Sequence, residues 1–193
     1  MLEVVVGCMF SGKSEELTRR LRREEIAGKK VFAFKPAIDN RYHPDDIASH
    51  SSVKFKAKTF KNAADLVDKI EKIIEKESDN CVIGIDEVQF LDKGFASTID
   101  GFANNGLKII VAGLDMDYTG NPFGPMPELM AIGDKVIKLN AICVAKDENG
   151  TICGEPATRS YRIFEKNTQD IIQVGALDSY EARCRECWKR GLK

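Results

Sequence analysis

No apolar run in this 193-residue chain approaches the roughly 20 residues that a helix needs to cross a bilayer, so no membrane span is expected. Basic excess is missing too: 29 Lys and Arg stand against 30 Asp and Glu, a formal net charge of −1. A protein that neutralises a nucleic-acid backbone normally carries such an excess, and its lack argues against that class, leaving room only for a local basic patch. Internal repeats, heptad arrays and low-complexity tracts are also missing, which sets aside solenoids, coiled coils and disordered arrays. Histidine is scarce, and His43 and His50 both fall in a polar loop and read as solvated side chains. The apolar start "MLEVVVGCMF" has no basic region before it and carries Glu3, so it reads as a buried strand rather than a secretory leader. The chain is accordingly expected to be cytoplasmic. Its six cysteines are then reduced thiols or metal ligands, not disulfides.

What is present is the composition of a folded globular protein, with 43% hydrophobic and 31% charged residues in a length that suits one α/β domain and a small appendage. Residues 2–6 form a short β-branched run of the kind buried inside a parallel sheet. A helix is expected over 14–27, with Glu15 and Glu16 in its positive first turn and Gly28 at its end. A strand over 31–34 stops before Pro36, and the polar stretch that follows reads as a mobile surface loop. Leu66, Ile70, Ile73 and Ile74 share one face of a helix over 62–77, and 81–85 is another buried strand. A helix over 91–104, a strand over 107–114 and a last core segment over 135–141 complete the alternation. The fold class that follows is α/β, a P-loop NTPase-like, mainly parallel sheet with helices on both sides. The proline- and glycine-rich "DMDYTGNPFGPMPELM" reads as a functional loop or a linker.

Gly7, Cys8, Met9, Phe10, Ser11, Gly12, Lys13 and Ser14 fit the P-loop pattern, two glycines flanking four residues and then Lys and Ser. Backbone N–H groups in such a loop turn inward around a β-phosphate, and the helix behind it presents its positive end. Lys13 bridges the transferring phosphates and the Ser14 hydroxyl ligates Mg²⁺. The second half of the site is "CVIGIDEVQF", where Asp86 and Glu87 follow a buried strand at its carboxyl end, the side where open α/β sheets bind ligands. Asp86 suits a metal held through water, and Glu87 suits a base acting on whatever attacks the γ-phosphate. ATPases, GTPases and kinases share these two motifs, so the acceptor stays open at this point.

The C-terminal segment carries Cys184-Arg185-Glu186-Cys187, a CxxC knuckle, and Cys143 with Cys153 completes a tetrahedral four-thiolate Zn²⁺ site. Structural zinc staples a segment too short for a core of its own. Between Cys143 and Cys153 lies Asn149-Gly150, a favoured pair for a tight hairpin turn that brings the two sulfurs back together. Cys8 and Cys81 read as packing residues.

With "GCMFSGKSEEL", "IDEVQF", "GLDMDYTGNPFGPMPELMAI", "KLNAIC", "CGEPATR" and "VGALDSYEARCRECW" in that order, the chain resembles the thymidine kinases of the type shared by many bacteria and the animal cytosol, over almost its full length. The resemblance implies a P-loop nucleotide-binding domain over 1–140 and a small zinc-binding lasso domain over 141–193 that closes over the nucleoside. It implies transfer of the ATP γ-phosphate to the 5′-hydroxyl of thymidine, a salvage step toward DNA synthesis. Glu87 matches the general base. Lys13 and Arg41 match residues that stabilise charge at the phosphates, Arg41 with Asp39 on a loop near them. Asp86, Glu87, Val88 and Gln89 match a second stretch at the nucleotide site. Ile171, Ile172, Gln173, Val174 and Gly175 match the loop whose backbone reads the thymine edge, with Tyr180 closing over it. Met9, Phe90, Leu114, Tyr118 and Phe123 match the apolar wall of that pocket. Cys143, Cys153, Cys184 and Cys187 match the zinc ligands. A homotetramer inhibited by thymidine triphosphate is the expected assembly, with no nucleic-acid or membrane partner.

Two departures from the family pattern stand out. Cys8 replaces a proline, in a place where the side chain points away from the phosphates. The spacing from Cys143 to Cys153 is wider than the usual CxxC, so the local fold of this half of the knuckle is not set by the resemblance. An alternative from another class is a P-loop ATPase whose zinc knuckle binds nucleic acid, using Arg183, Arg185, Trp188, Lys189 and Arg190, though Glu181 and Glu186 dilute that patch.

Overall fold

The computed structural model describes residues 1–37, 46–48, 54–77, 80–163 and 179–191. A seven-stranded sheet forms its centre: β1 (Leu2–Gly7), β2 (Lys30–Pro36), β3 (Asp46–Ala48), β4 (Lys54–Phe60), β5 (Cys81–Ile85), β6 (Lys108–Gly113) and β7 (Lys135–Leu139), in the spatial order β3-β4-β2-β5-β6-β1-β7. All neighbouring pairs are parallel except β3 with β4. The central strands are apolar throughout because both of their faces are covered. On one face α1 (Lys13–Ile26) sets Leu17 and Leu21 against Val5, Ala33, Val82, Ile110 and Ala112. On the other lie α2 (Ala63–Glu77), α3 (Phe95–Asn104) and α4 (Met126–Ile132), which bury Leu66, Ile70, Phe95, Ile99, Met126 and Leu129 against Val4, Ile83 and Ile109. The helix α2 starts where Asn62 Oδ1 accepts the Asp65 N–H at 2.9 Å while Asp65 Oδ2 accepts the Lys61 N–H at 2.8 Å, a reciprocal cap.

Several local expectations shift. Strand β2 runs on through Pro36, which sits in the ladder opposite Phe60. The stretch read as a loop holds β3, and β4 follows it with no counterpart in the sequence reading. The helix expected over 91–104 begins only at Phe95, and a 3₁₀ turn over Val88–Phe90 precedes it. The segment expected to be core, β7, is an edge strand with Val136 39% exposed. One-sided pairing leaves its outer face uncovered.

Beyond β7 the chain forms a small lobe of short antiparallel pairs, β8 (Ala141–Ile142) with β9 (Pro156–Ala157) and β10 (Arg159–Arg162) with β11 (Tyr180–Arg183), closed by α5 (Arg185–Gly191). Its interior is a cluster of Ala141, Cys143, Ala145, Ala157, Ala182 and Cys187. Cys8 of the P-loop packs into the same cluster.

Candidate functional site

Strand β1 ends at Gly7, and the next five residues turn back to start α1. Phe10 and Gly12 both have left-handed backbones, φ 64° and 79°. No side chain caps the start of α1, so its first N–H groups face into the loop, the arrangement that binds an anion. The Lys13 ammonium donates to Cys8 O at 2.8 Å, and the Ser11 hydroxyl donates to the same carbonyl at 2.8 Å. The lysine is thus folded onto its own loop. Burial pulls its ammonium below the usual range, while the charges of Glu87, then Cys8, Asp86 and Asp115, oppose that fall.

Asp86 follows β5, one strand removed from β1, with its backbone N–H bonded to Phe34 O at 2.9 Å. Side chains alternate along β5, which turns Asp86 toward α1, where it takes a hydrogen bond from the Ser14 side chain. Burial, and then the charge of Glu87, push its carboxyl up to about 7, against the pull of that hydrogen bond. A hydroxyl and a buried carboxylate side by side form an oxygen set that suits Mg²⁺. Glu87 has a left-handed backbone, φ 55° and ψ 39°, so the chain crosses there from the α1 face to the opposite one. Val88 and Gln89 are consequently buried, at 0% and 1% exposure.

The apolar residues expected to line an acceptor pocket fall on this same end of the sheet. Phe90 and Phe123 meet edge to face with centroids 5.8 Å apart, and both are half-buried, like Met9, Leu114 and Tyr118. The loop after β6 is closed by Asp117, whose N–H donates to Asn121 O at 2.9 Å and whose Oδ1 accepts from Thr119 and Asn121 N–H. Tyr180 is buried in β11, and burial pushes its phenol up while the Arg162 charge opposes. Asp39, Arg41 and Ile171, Ile172, Gln173, Val174 and Gly175 lie outside the described residues.

The cysteine cluster is assembled as expected: the four sulfurs of Cys143, Cys153, Cys184 and Cys187 lie within 4.8 Å of one another. A tetrahedron with Zn–S of about 2.3 Å has sulfur edges of about 3.8 Å, so the set fits zinc with small adjustments. The wide gap between the first two ligands is a hairpin. Gly154 N–H donates to Cys143 O at 3.0 Å and Cys153 N–H to Ala145 O at 2.9 Å, and the tip closes with Asp147 N–H to Thr151 O at 3.0 Å. Gly150 takes the left-handed position of a three-residue turn, φ 81°. Burial and the neighbouring thiols push Cys187 up to about 12.

The sequence reading missed how the lobe grips the P-loop. Ser160 Oγ accepts the Met9 N–H at 3.1 Å, and the Cys8 thiol donates to Ala157 O at 3.3 Å. No pattern in "CGEPATRS" marks that serine. Trp188 likewise reaches back to the loop after β6, its indole N–H donating to Tyr118 O at 3.1 Å with the Arg159 guanidinium 5.9 Å from its ring centroid. Arg183 pairs with Glu181, and Arg190 donates to Cys187 Sγ at 3.1 Å. The tryptophan and two arginines counted toward a nucleic-acid surface are therefore engaged within the chain.

A strand, a glycine-bounded loop, an uncapped helix and two carboxylates at the end of a nearby parallel strand define a P-loop nucleotide-binding protein of the α/β class. Residues 1–188 match the family described as thymidine kinase. The chain belongs to that family, one of kinases that phosphorylate thymidine. Among solved structures it is similar to the genome packaging NTPase B204 from Sulfolobus turreted icosahedral virus 2, in complex with ATP-gammaS, at 16% identity over 77% of each chain with a TM-score of 0.48, a likeness from which nothing further about this chain follows.

Proposed function

We propose that this chain transfers the γ-phosphoryl group of ATP to the 5′-hydroxyl of thymidine, with Glu87 as the general base. The observation that carries the reading is the meeting of Lys13, Asp86 and Glu87 at one end of the sheet, in a chain whose family is established over residues 1–188. Glu87 is the partner that raises Lys13 most, so a phosphate gripped by that ammonium lies near the carboxylate that takes the hydroxyl proton.

The triphosphate sits on Gly7 to Ser14, and Lys13 leaves the Cys8 carbonyl to bridge its phosphates. Ser14 and Asp86 would hold Mg²⁺, which would supply charge neutralisation for the phosphate oxygens. Thymine lies against Met9, Phe90 and Phe123, with Leu114, Tyr118 and Tyr180 completing the wall and residues 171–175 reading its edge. Arg41 adds charge near the transferring group. In this division residues 1–140 bind the donor and residues 141–193, stapled by zinc on Cys143, Cys153, Cys184 and Cys187, close over the acceptor.

A panel of nucleosides incubated with ATP and Mg²⁺ tests the reading, with thymidine monophosphate the expected product. Glu87→Gln is expected to lower kcat by roughly 10²- to 10⁴-fold while thymidine still binds. A Glu87→Gln enzyme that keeps most of its rate would remove Glu87 from the role of base, and a panel with no phosphorylated thymidine would remove the substrate.

A further inference from the structure

We infer that Gln89 is the positioning residue of the reaction: it holds the Glu87 carboxylate in place and ties it to the first residue of the thymidine-side loop. The inference rests on the proposed role of Glu87. It gives Gln89 a different task from the contact with nucleotide that the family resemblance implies.

Gln89 is 1% exposed and its side-chain amide has two neighbours. Its Oε1 accepts the Leu114 N–H at 3.1 Å, and its Nε2 donates to Glu87 Oε2. The orientation of the amide follows from the partners. A backbone N–H only donates, so the oxygen must face Leu114, and an ionised carboxylate only accepts, so the nitrogen must face Glu87. Reversing the amide would set donor against donor and acceptor against acceptor. Glu87 itself stands on a left-handed backbone, a conformation that a non-glycine residue keeps only when its surroundings hold it there.

The space around Gln89 is built to the same end. A Cβ added at Gly113 would lie 2.8 Å from Gln89 Oε1, and one added at Gly124 would lie 2.2 Å from Gln89 O. The two glycines, one ending β6 and the other inside the loop, let backbone come close to the glutamine at its side-chain oxygen and at its main-chain carbonyl. Any shift of that loop is therefore transmitted through one amide to the base. The Gln89 amide oxygen gathers with Val88 and Met126 beside Gly113, on the face of the sheet opposite α1.

Two variants and a double-mutant cycle test this. Gln89→Met keeps the length of the side chain and removes both hydrogen bonds. Gln89→Glu keeps an acceptor for Leu114 and removes the donor to Glu87. Both are expected to lower kcat by roughly 100-fold with the KM for ATP within a factor of two. Combined with Glu87→Gln, each is expected to cost no further rate, because nothing remains to be positioned. Far-UV circular dichroism and thermal unfolding report whether Gln89→Met folds, and Gln89→Glu keeps the test decisive if it does not. A raised KM for ATP with kcat retained, or a full second loss in the Glu87→Gln background, overturns the inference and returns Gln89 to the nucleotide. If the wild-type protein makes no thymidine monophosphate, or Glu87→Gln stays active, the proposed function fails instead.

Discussion

At the scale of single residues, the site concentrates charge where water is scarce. Asp86 illustrates the consequence. Its carboxyl, near 4 in an unfolded chain, is raised to about 7 in the fold by burial and by Glu87. Between those values the folded chain holds a proton that the unfolded chain has lost, so this group's contribution to stability declines as pH rises from about 4 to 7. Asp86→Asn removes the buried ion. The ligand-free variant is expected to match wild type at pH 4 and to melt several degrees higher at pH 8, by calorimetry at both values; parallel pH dependences would sink the argument. The identities of Lys13, Ser14, Asp86 and Glu87 were legible in the sequence because phosphate chemistry constrains residue type and spacing together. The task of Gln89 was not, since a glutamine two residues from a carboxylate has no spacing rule, and only the left-handed turn at Glu87 brings their side chains into contact.

At the scale of elements, α1 must lie close on the sheet to bring the P-loop over Asp86, and Gly84 is what permits it. A Cβ at that position would stand 2.5 Å from Leu21 Cδ1, inside a fully buried contact. Gly84→Ala is therefore expected to destabilise the protein by about 1–3 kcal/mol, read as a lower urea midpoint at unchanged slope, and to raise the KM for ATP as the helix is displaced. An unchanged midpoint would show that Leu21 yields without cost. The middle of α1 is also tied by Arg20 to Glu3 of β1, and Lys108 of β6 lies 3.2 Å from the same carboxylate. The strands and helices whose apolar residues recur at one clear period were legible: α2 from its single apolar face, β5 from its unbroken apolar run. By contrast β4, "KFKAKTF", alternates lysine with apolar residues over too few positions to stand out between a loop and a helix. The edge position of β7 was likewise hidden, because a short apolar strand looks the same in the middle of a sheet as at its border.

At the scale of the whole molecule, the C-terminal lobe is both a staple and a clamp. It holds the P-loop through Ser160 and Cys8, and the loop after β6 through Trp188, so in the proposed reaction its integrity bears on both substrates. Trp188 is the single tryptophan, one residue beyond Cys187. Stripping zinc with a thiol reagent and chelator is expected to change its fluorescence as α5 comes away from Tyr118, and to weaken ATP and thymidine together. Cys184→Ser is expected to lose stoichiometric zinc by mass spectrometry and to show the same fluorescence without treatment. A metal-free protein with unaltered tryptophan emission would separate the cysteine cluster from the docking of the lobe. The sequence by itself determined the chemistry: a phosphate loop, a carboxylate pair, four thiols and the order of strands and helices between them, because each depends on residue type at short range. Only the tertiary structure decided which of these groups meet. It placed β6 between the P-loop strand and the carboxylate strand, folded the insertion at 144–152 into a hairpin that closes the sulfur cluster, and set an amide from a 3₁₀ turn against the Glu87 carboxylate. Those contacts join residues far apart in the chain, and their energy lies in packing and burial that no local pattern records.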